Sequence, residues 1–374
     1  VKILRYITFG LVILNIPSTA LSAYGPTIGG LLSYITIGLL ALYYFLEKKT
    51  IPNWWLIIIS ILFFMIGALQ YKGPTMLFIM EIIKYFIYLI SAYELAKHIN
   101  TSEYSFFLLI GSSTIILEAL LFTSKFGRYS GFYMAPNEAG FICIVGYATT
   151  YGLKNKKAKL LGQFIFTLAG LLTFSRTFIV IWLLINVISL KISFKNIRIF
   201  GLGFLIISSL FFIDSVVGLN NPRFEQMKSI ISNDGSVSSE ELNEDSRADT
   251  WAIFYDQILD SPLIGNGYGT FSGKGGYIGV HNTYLAVLGE AGILPFILFV
   301  LYMGYLISMS IIYFNKKPNL IMQMIGLSLF LMANHNFFTF YYVSFAAIWI
   351  QYQLYKLRNN DNDNAIDVLK NTLS

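Results

Sequence analysis

The chain has 374 residues, of which 56% are hydrophobic and only 12% charged, with one cysteine and a formal net charge of +6. A soluble domain with ordinary surface area does not tolerate that balance, so the composition excludes one and points to an all-α polytopic membrane protein. The lone Cys143 excludes an intramolecular disulfide and any cysteine-built metal or redox centre.

Apolar runs long enough to cross a bilayer recur from end to end, and about twelve are counted at roughly 17 to 25 residues each. They begin near Tyr6, Leu31, Trp54, Met76, Tyr104, Glu138, Leu160, Thr177, Ile199, His281, Leu320 and Phe340. The first lacks a small-residue cleavage site and is read as a retained span rather than a removed signal peptide. Numbering the breaks alternately, with the N-terminus inside, puts 17 Lys and Arg residues inside and 8 outside, with Lys84 within a span. Cytoplasmic loops carry such an excess, so both termini are expected on the cytoplasmic side of the membrane. The same bias accounts for the net charge and leaves no reason to expect nucleic acid as a partner.

Residues 1–218 thus form spans one to nine, 219–280 one large external loop, 281–356 spans ten to twelve, and 357–374 a polar cytoplasmic tail. Most breaks are short, which favours antiparallel neighbours in one bundle. The 219–280 loop is far longer than the usual ~4 to 6 residues, and loops of that kind tend to be functional. Within it, Ser232 to Glu244 is acidic and Ser-rich, whereas Ser246 to Leu259 carries Trp251, Phe254, Tyr255, Ile258 and Leu259 at helical spacing. Asp245 or Ser246 is placed to cap that helix, with Arg247 in its first turn.

Arg128, Arg176, Arg223 and Arg247 all fall on the external face. A guanidinium is permanently charged and matches phosphate oxygens in a planar fork, so converging arginines suggest a phosphate or pyrophosphate ligand. Arg176, flanked by Leu172, Phe174 and Phe178, is either a site residue or a snorkelling anchor. Arg247 is either a ligand or a solvated helix residue beside Asp249. His281 stands where the loop re-enters the membrane; an imidazole with a pKa of ~6.5 can take a hydroxyl proton, although a lone interfacial histidine also serves structure. Glu290, expected in the same helix as His281, needs a partner in the apolar phase, whether for orientation or for a structural ion pair.

Gly265, Gly267 and Gly269 read as turn glycines, since no strand precedes them and no Gly-Lys-Ser/Thr follows. His98, His281 and His335 lie far apart in the chain and show no metal-ligand spacing, so no metal and no cofactor are expected. A transporter or glycan flippase would use Glu81, Lys84 and Glu118, of which Glu81 and Lys84 are three apart on one helical face and free to pair. No inverted repeat supports that reading, and it leaves the long loop unexplained. A non-enzymatic membrane scaffold is a third possibility.

In order along the chain stand Gly127-Arg128, Gly131 and Pro136-Asn137; Ser175-Arg176-Thr177; Arg247 with Trp251; Ser261-Pro262-Leu263-Ile264-Gly265-Asn266-Gly267; and His281-Asn282-Thr283-Tyr284-Leu285 with Glu290 and Gly292. This ordered set resembles the O-antigen ligase and Wzy polymerase superfamily of bacterial membrane glycosyltransferases. The resemblance implies a GT-C-like helical fold whose large external loop, between spans nine and ten, caps the site. It implies an undecaprenyl-pyrophosphate-linked glycan as donor, a lipid-linked repeat or lipid A core as glycan acceptor, the lipid bilayer and a chain-length regulator as partners, and metal-independent transfer with inversion. His281, Arg247 and Arg176 are then the catalytic candidates, and Arg128, Asn137, Trp251, Asn282 and Glu290 the substrate-binding ones. The wording around Pro136-Asn137-Glu138 and Ser175-Arg176-Thr177, with the short chain, favours a polymerase of O-antigen, capsule or exopolysaccharide over a ligase.

Overall fold

The computed structural model describes residues 1–47, 54–122, 127–217, 247–273 and 279–373. Among them every regular element is helical. In chain order these are α1 (Lys2–Ile13), α2 (Ile16–Tyr24), α3 (Pro26–Leu46), α4 (Trp54–Leu69), α5 (Thr75–His98), α6 (Thr101–Leu121), α7 (Pro136–Thr150), α8 (Lys156–Leu172), α9 (Arg176–Ser189) and α10 (Arg198–Val217). After the undescribed stretch come α11 (Arg247–Asp260), α12 (Thr283–Ala291), α13 (Ile293–Ile312), α14 (Pro318–Leu331) and α15 (Tyr341–Leu373).

Among the described residues four helices, α3, α5, α6 and α13, are long and apolar enough to cross a membrane, and the α1–α2 pair, bent by 58°, makes a fifth if it counts as one span. The expectation of twelve is not met by helix length. The apolar helices α4, α9 and α14 have 16, 14 and 14 residues. At 1.5 Å per residue they reach about 21 to 24 Å, short of a ~30 Å hydrocarbon core. The tenth span, expected to start at His281, is instead two elements. The nine-residue α12 stops at Gly292, whose φ of 78° ends one helix and starts the 20-residue α13. His281 therefore precedes the helix that carries Glu290. The expected helix over 246–259 is observed as α11, one residue displaced, while its cap at Asp245 or Ser246 lies outside the described residues.

α7 occupies the centre, with 13 of its 15 residues buried, from Glu138 to Thr150. A helix covered on every side needs small residues where neighbours cross. A Cβ on Gly146 would lie 2.2 Å from the Phe166 ring of α8, and one on Gly140 would lie 3.2 Å from Phe178 Cβ of α9. Packing around it joins α6, α8, α9 and α14 into one core.

Contacts between breaks sort into two ends of the bundle. At one, Arg5 pairs with Glu103 at 3.2 Å, Glu47 with His98 at 3.9 Å, and Lys317 donates to Gln353 at 2.7 Å. At the other, Asn15 and Thr19 donate to the Phe132 carbonyl, Tyr268 to Glu81, and Thr283 to the Asn334 carbonyl.

Candidate functional site

The second of these ends gathers most of the sequence-derived candidates. The turn before α7 is shaped by Gly127, Gly131 and Met134, at φ of 63°, 54° and 64°. Glu118 holds it by accepting from the Ser130 and Gly131 amides at 2.8 and 2.6 Å, so this carboxylate, which the transporter or flippase reading of the sequence would use, fastens a loop. That anchorage directs Arg128 across to the α8–α9 junction. Its Nε donates to the Thr173 carbonyl at 3.3 Å and its Nη2 approaches Asn137 Oδ1 at 3.5 Å. Ser175 Oγ donates to the same Asn137 oxygen at 2.9 Å and accepts from the Phe178 amide, capping α9. Arg176 follows as the exposed first residue of that helix. Two stretches some forty residues apart in sequence are thus one surface, with Arg128, Asn137 and Arg176 on it and the buried Ser175 beneath.

Glu138 continues this surface inward. Its buried carboxylate accepts from Asn334 Nδ2 at 2.7 Å, and the Asn334 carbonyl accepts from Thr283 Oγ1 at 2.7 Å. Three segments meet there: the start of α7, the start of α12 and the α14–α15 turn. His281 and His335 sit on this junction with ring centroids 5.2 Å apart and planes inclined at 56°. His335 Nε2 lies 3.1 Å from the Ser272 carbonyl, which fits a ring nitrogen carrying its proton there.

The structure thus corrects the sequence view that the three histidines are far apart. His98 is at the opposite end, beside Glu47 and Tyr43, but His281 and His335 are neighbours. His335 was missed; the signal was its place in Asn334-His335-Asn336, a polar break on the same face as His281. Among the described residues no three His, Cys, Asp or Glu side chains converge as a metal-binding group.

His281 is exposed and has φ of 48°, a left-handed conformation that disfavours side chains and marks functional sites. Asn282 is committed to the helix: its Oδ1 accepts from the Tyr284 and Leu285 amides at 2.9 and 3.2 Å, as an N-cap. Glu290, buried, accepts from the Phe271 amide at 3.1 Å and Ser272 Oγ at 3.0 Å. Both residues therefore shape the site, Glu290 by holding the very segment whose Ser272 carbonyl meets His335.

Turn glycines let the 261–273 segment thread between α4 and the α12–α13 break. Gly267, at φ of 98°, has the Gln70 carbonyl 2.4 Å from where a Cβ would stand; at Gly292 the Leu263 carbonyl is 2.1 Å away. Backbone bonds from Asn266 to Gly289, Gly267 to Glu290 and Tyr268 to Gly67 close the crossing. Burial, then the adjacent Glu81 carboxylate, hold the Tyr268 phenol well above its ordinary pKa, so it stays a donor. α11 lies against α12 through Phe254 and Ile258, which pack with Phe271, Val280 and Ala286, and Trp251 is part of the same cluster. Arg247 begins α11, and its side chain lies outside the described residues.

Residues 161–300, less than half of the chain, match a family model described as O-antigen ligase. The matched stretch runs from α8 into α13 and contains Arg176, Arg247, His281 and Glu290, whereas Arg128, Asn137 and His335 lie beyond it. No curated protein matches the chain.

Proposed function

We propose that this member of the O-antigen ligase and Wzy polymerase superfamily is an inner-membrane glycosyltransferase that polymerises undecaprenyl-pyrophosphate-linked oligosaccharide repeats. The reading completes the membrane fold to twelve spans by letting the shorter apolar helices cross within the bundle, with both termini cytoplasmic and the His281 end external. The observation that carries it is the left-handed, exposed His281 beside His335, joined through Asn334 and Glu138 to the Arg128, Asn137, Ser175 and Arg176 surface.

His281 accepts the proton of the acceptor hydroxyl as that oxygen attacks the anomeric carbon of the donor. The bond to the pyrophosphate oxygen breaks from the opposite face, inverting the centre, and lipid pyrophosphate leaves. Arg176 and Arg247 offset the charge that grows on it, with Arg128 assisting; fixed donors aimed at developing charge are commonly the largest catalytic contribution. His335, bonded to the Ser272 carbonyl, positions the His281 ring rather than touching substrate. The partners are the lipid-linked donor, a second lipid-linked repeat, the bilayer and a chain-length regulator.

Transfer to lipid A core is the second reading, favoured by the description of the matched family. Purified protein given a defined undecaprenyl-pyrophosphate oligosaccharide, with chelator and with or without lipid A core, separates the two. A ladder of longer lipid-linked glycans without core is expected; a single adduct on the core makes it a ligase, and no product from folded protein sinks both.

A further inference from the structure

A pair of charges remains outside this chemistry. Glu81 and Lys84 lie about 9 and 14 Å along α5 from its outer end, at depths where a bilayer penalises charge and where ionisable side chains mark function. Both line an open cavity of about 200 Å³, together with Ser33, Tyr268, Thr339 and Tyr341. A second cavity of about 130 Å³ shares Ser33, Thr339 and Tyr341 with it and adds Asn15, Ser18 and Thr36. The two adjoin at these shared residues and make a groove between α2, α3 and α5, beside the turn that follows His335, with apolar walls from Val12, Phe64 and Phe338. Taking about 30 Å³ as one water's share of liquid, the larger part has room for several waters, comparable to a sugar ring.

We infer that this groove is a saccharide subsite, holding the hydroxyl-rich acceptor glycan that approaches His281; the acceptor role rests on the glycosyltransferase reading above. One carboxylate and one ammonium leave the groove without net charge, which suits a polyol and not a pyrophosphate; the arginines occupy the other surface. Glu81 accepts from Tyr268 at 2.9 Å, and its carboxylate is an acceptor of the kind that binds sugar hydroxyls. Lys84 is held over the Tyr34 ring at 4.0 Å and donates to Ser33 at 3.3 Å, so its ammonium is fixed in place. Tyr341, which lines both cavities, is stacked on Tyr88 at 4.2 Å and offers a rigid aromatic wall. A merely structural Glu81–Lys84 pair would need no open groove and no second polar cavity.

The probe is the repeat oligosaccharide released by mild acid from the lipid-linked glycan that accumulates when this chain is deleted from its host. Its binding to the full chain in nanodiscs is read by saturation-transfer NMR, beside the transfer assay. Wild type is expected to bind it, while Glu81→Gln, and Thr339→Trp, which fills the groove from an exposed position without removing charge, bind about tenfold more weakly. Unchanged binding in either groove variant, or no binding to wild type, overturns the subsite. Groove-dependent binding without any transfer by wild type sinks the enzymatic reading and leaves the subsite standing.

Discussion

His281 gives the sharpest contrast between stability and activity at the level of single residues. Its φ of 48° costs a non-glycine residue of order 1 kcal/mol, a strain that the Asn282 cap and the 283–291 helix hold in place. His281→Gly should therefore unfold no more easily than wild type, and up to about 1 kcal/mol less easily, while transfer falls by about 10² to 10⁴. Denaturant midpoints and initial rates measured on the same preparation check this; retained activity would falsify the general-base assignment. His335→Ala is expected to lower kcat with little change in donor KM, because it acts through the ring of His281. Ser175, unlike Arg176, has a second duty as the α9 cap, so Ser175→Ala should lose about 1 kcal/mol of stability as well as the Asn137 contact.

Among elements, the 261–273 segment decides how the His281 end of the bundle is assembled. Its crossing beneath α4 needs Gly267 and Gly292, since a methyl at either would sit within 2.4 Å of a carbonyl oxygen. Gly292→Ala is expected to destabilise by about 1 to 3 kcal/mol from backbone strain alone, and to release the segment before the bundle unfolds. Hydrogen exchange at Phe271 and Val280, rising ahead of α7, reads this directly; uniform protection in the variant contradicts it. Tyr268 adds a pH dependence. Because burial and Glu81 raise its pKa, the phenol's share of stability is complete below the ordinary value near 10 and is lost only as pH climbs through the raised value. Tyr268→Phe should abolish that alkaline dependence and cost about 1 kcal/mol at neutral pH.

For the whole molecule, the inside bias of Lys and Arg and the two contact ends make one prediction about orientation. In a Cys143→Ala background, which removes the only cysteine and its buried contact with Ser112, single cysteines at Thr339 and Lys156 report opposite faces. Both positions are exposed. A membrane-impermeant maleimide added to intact cells should label Thr339→Cys and spare Lys156→Cys. The reverse pattern would invert the protein and move His281 to the cytoplasm. The helices too short to cross a bilayer alone make local thinning or burial within the bundle the physical requirement, and α7, covered on nearly every side, shows the second solution.

Composition and periodicity determined the helical membrane character, the turn glycines, the α11 helix and the order of motifs that resembled the family, because each is a local property of hydropathy, backbone freedom or spacing. The sequence also put Arg128, Asn137 and Arg176 on one face, which the Ser175–Asn137 and Arg128–Thr173 bonds join into one surface. Only tertiary structure decided which candidates lie exposed and which are bonded into the framework. Asn282 became a cap, Glu290 and Glu118 became anchors for loops, and His335 became the neighbour of His281. Helix length along the expected tenth span was likewise misjudged, because an apolar run conceals a break when the only mark is one glycine. The physical reason is common to all of these: a buried polar group takes whichever partner the packing brings within hydrogen-bond reach, and residues 138, 283 and 334 are brought together by helix packing that no local pattern encodes.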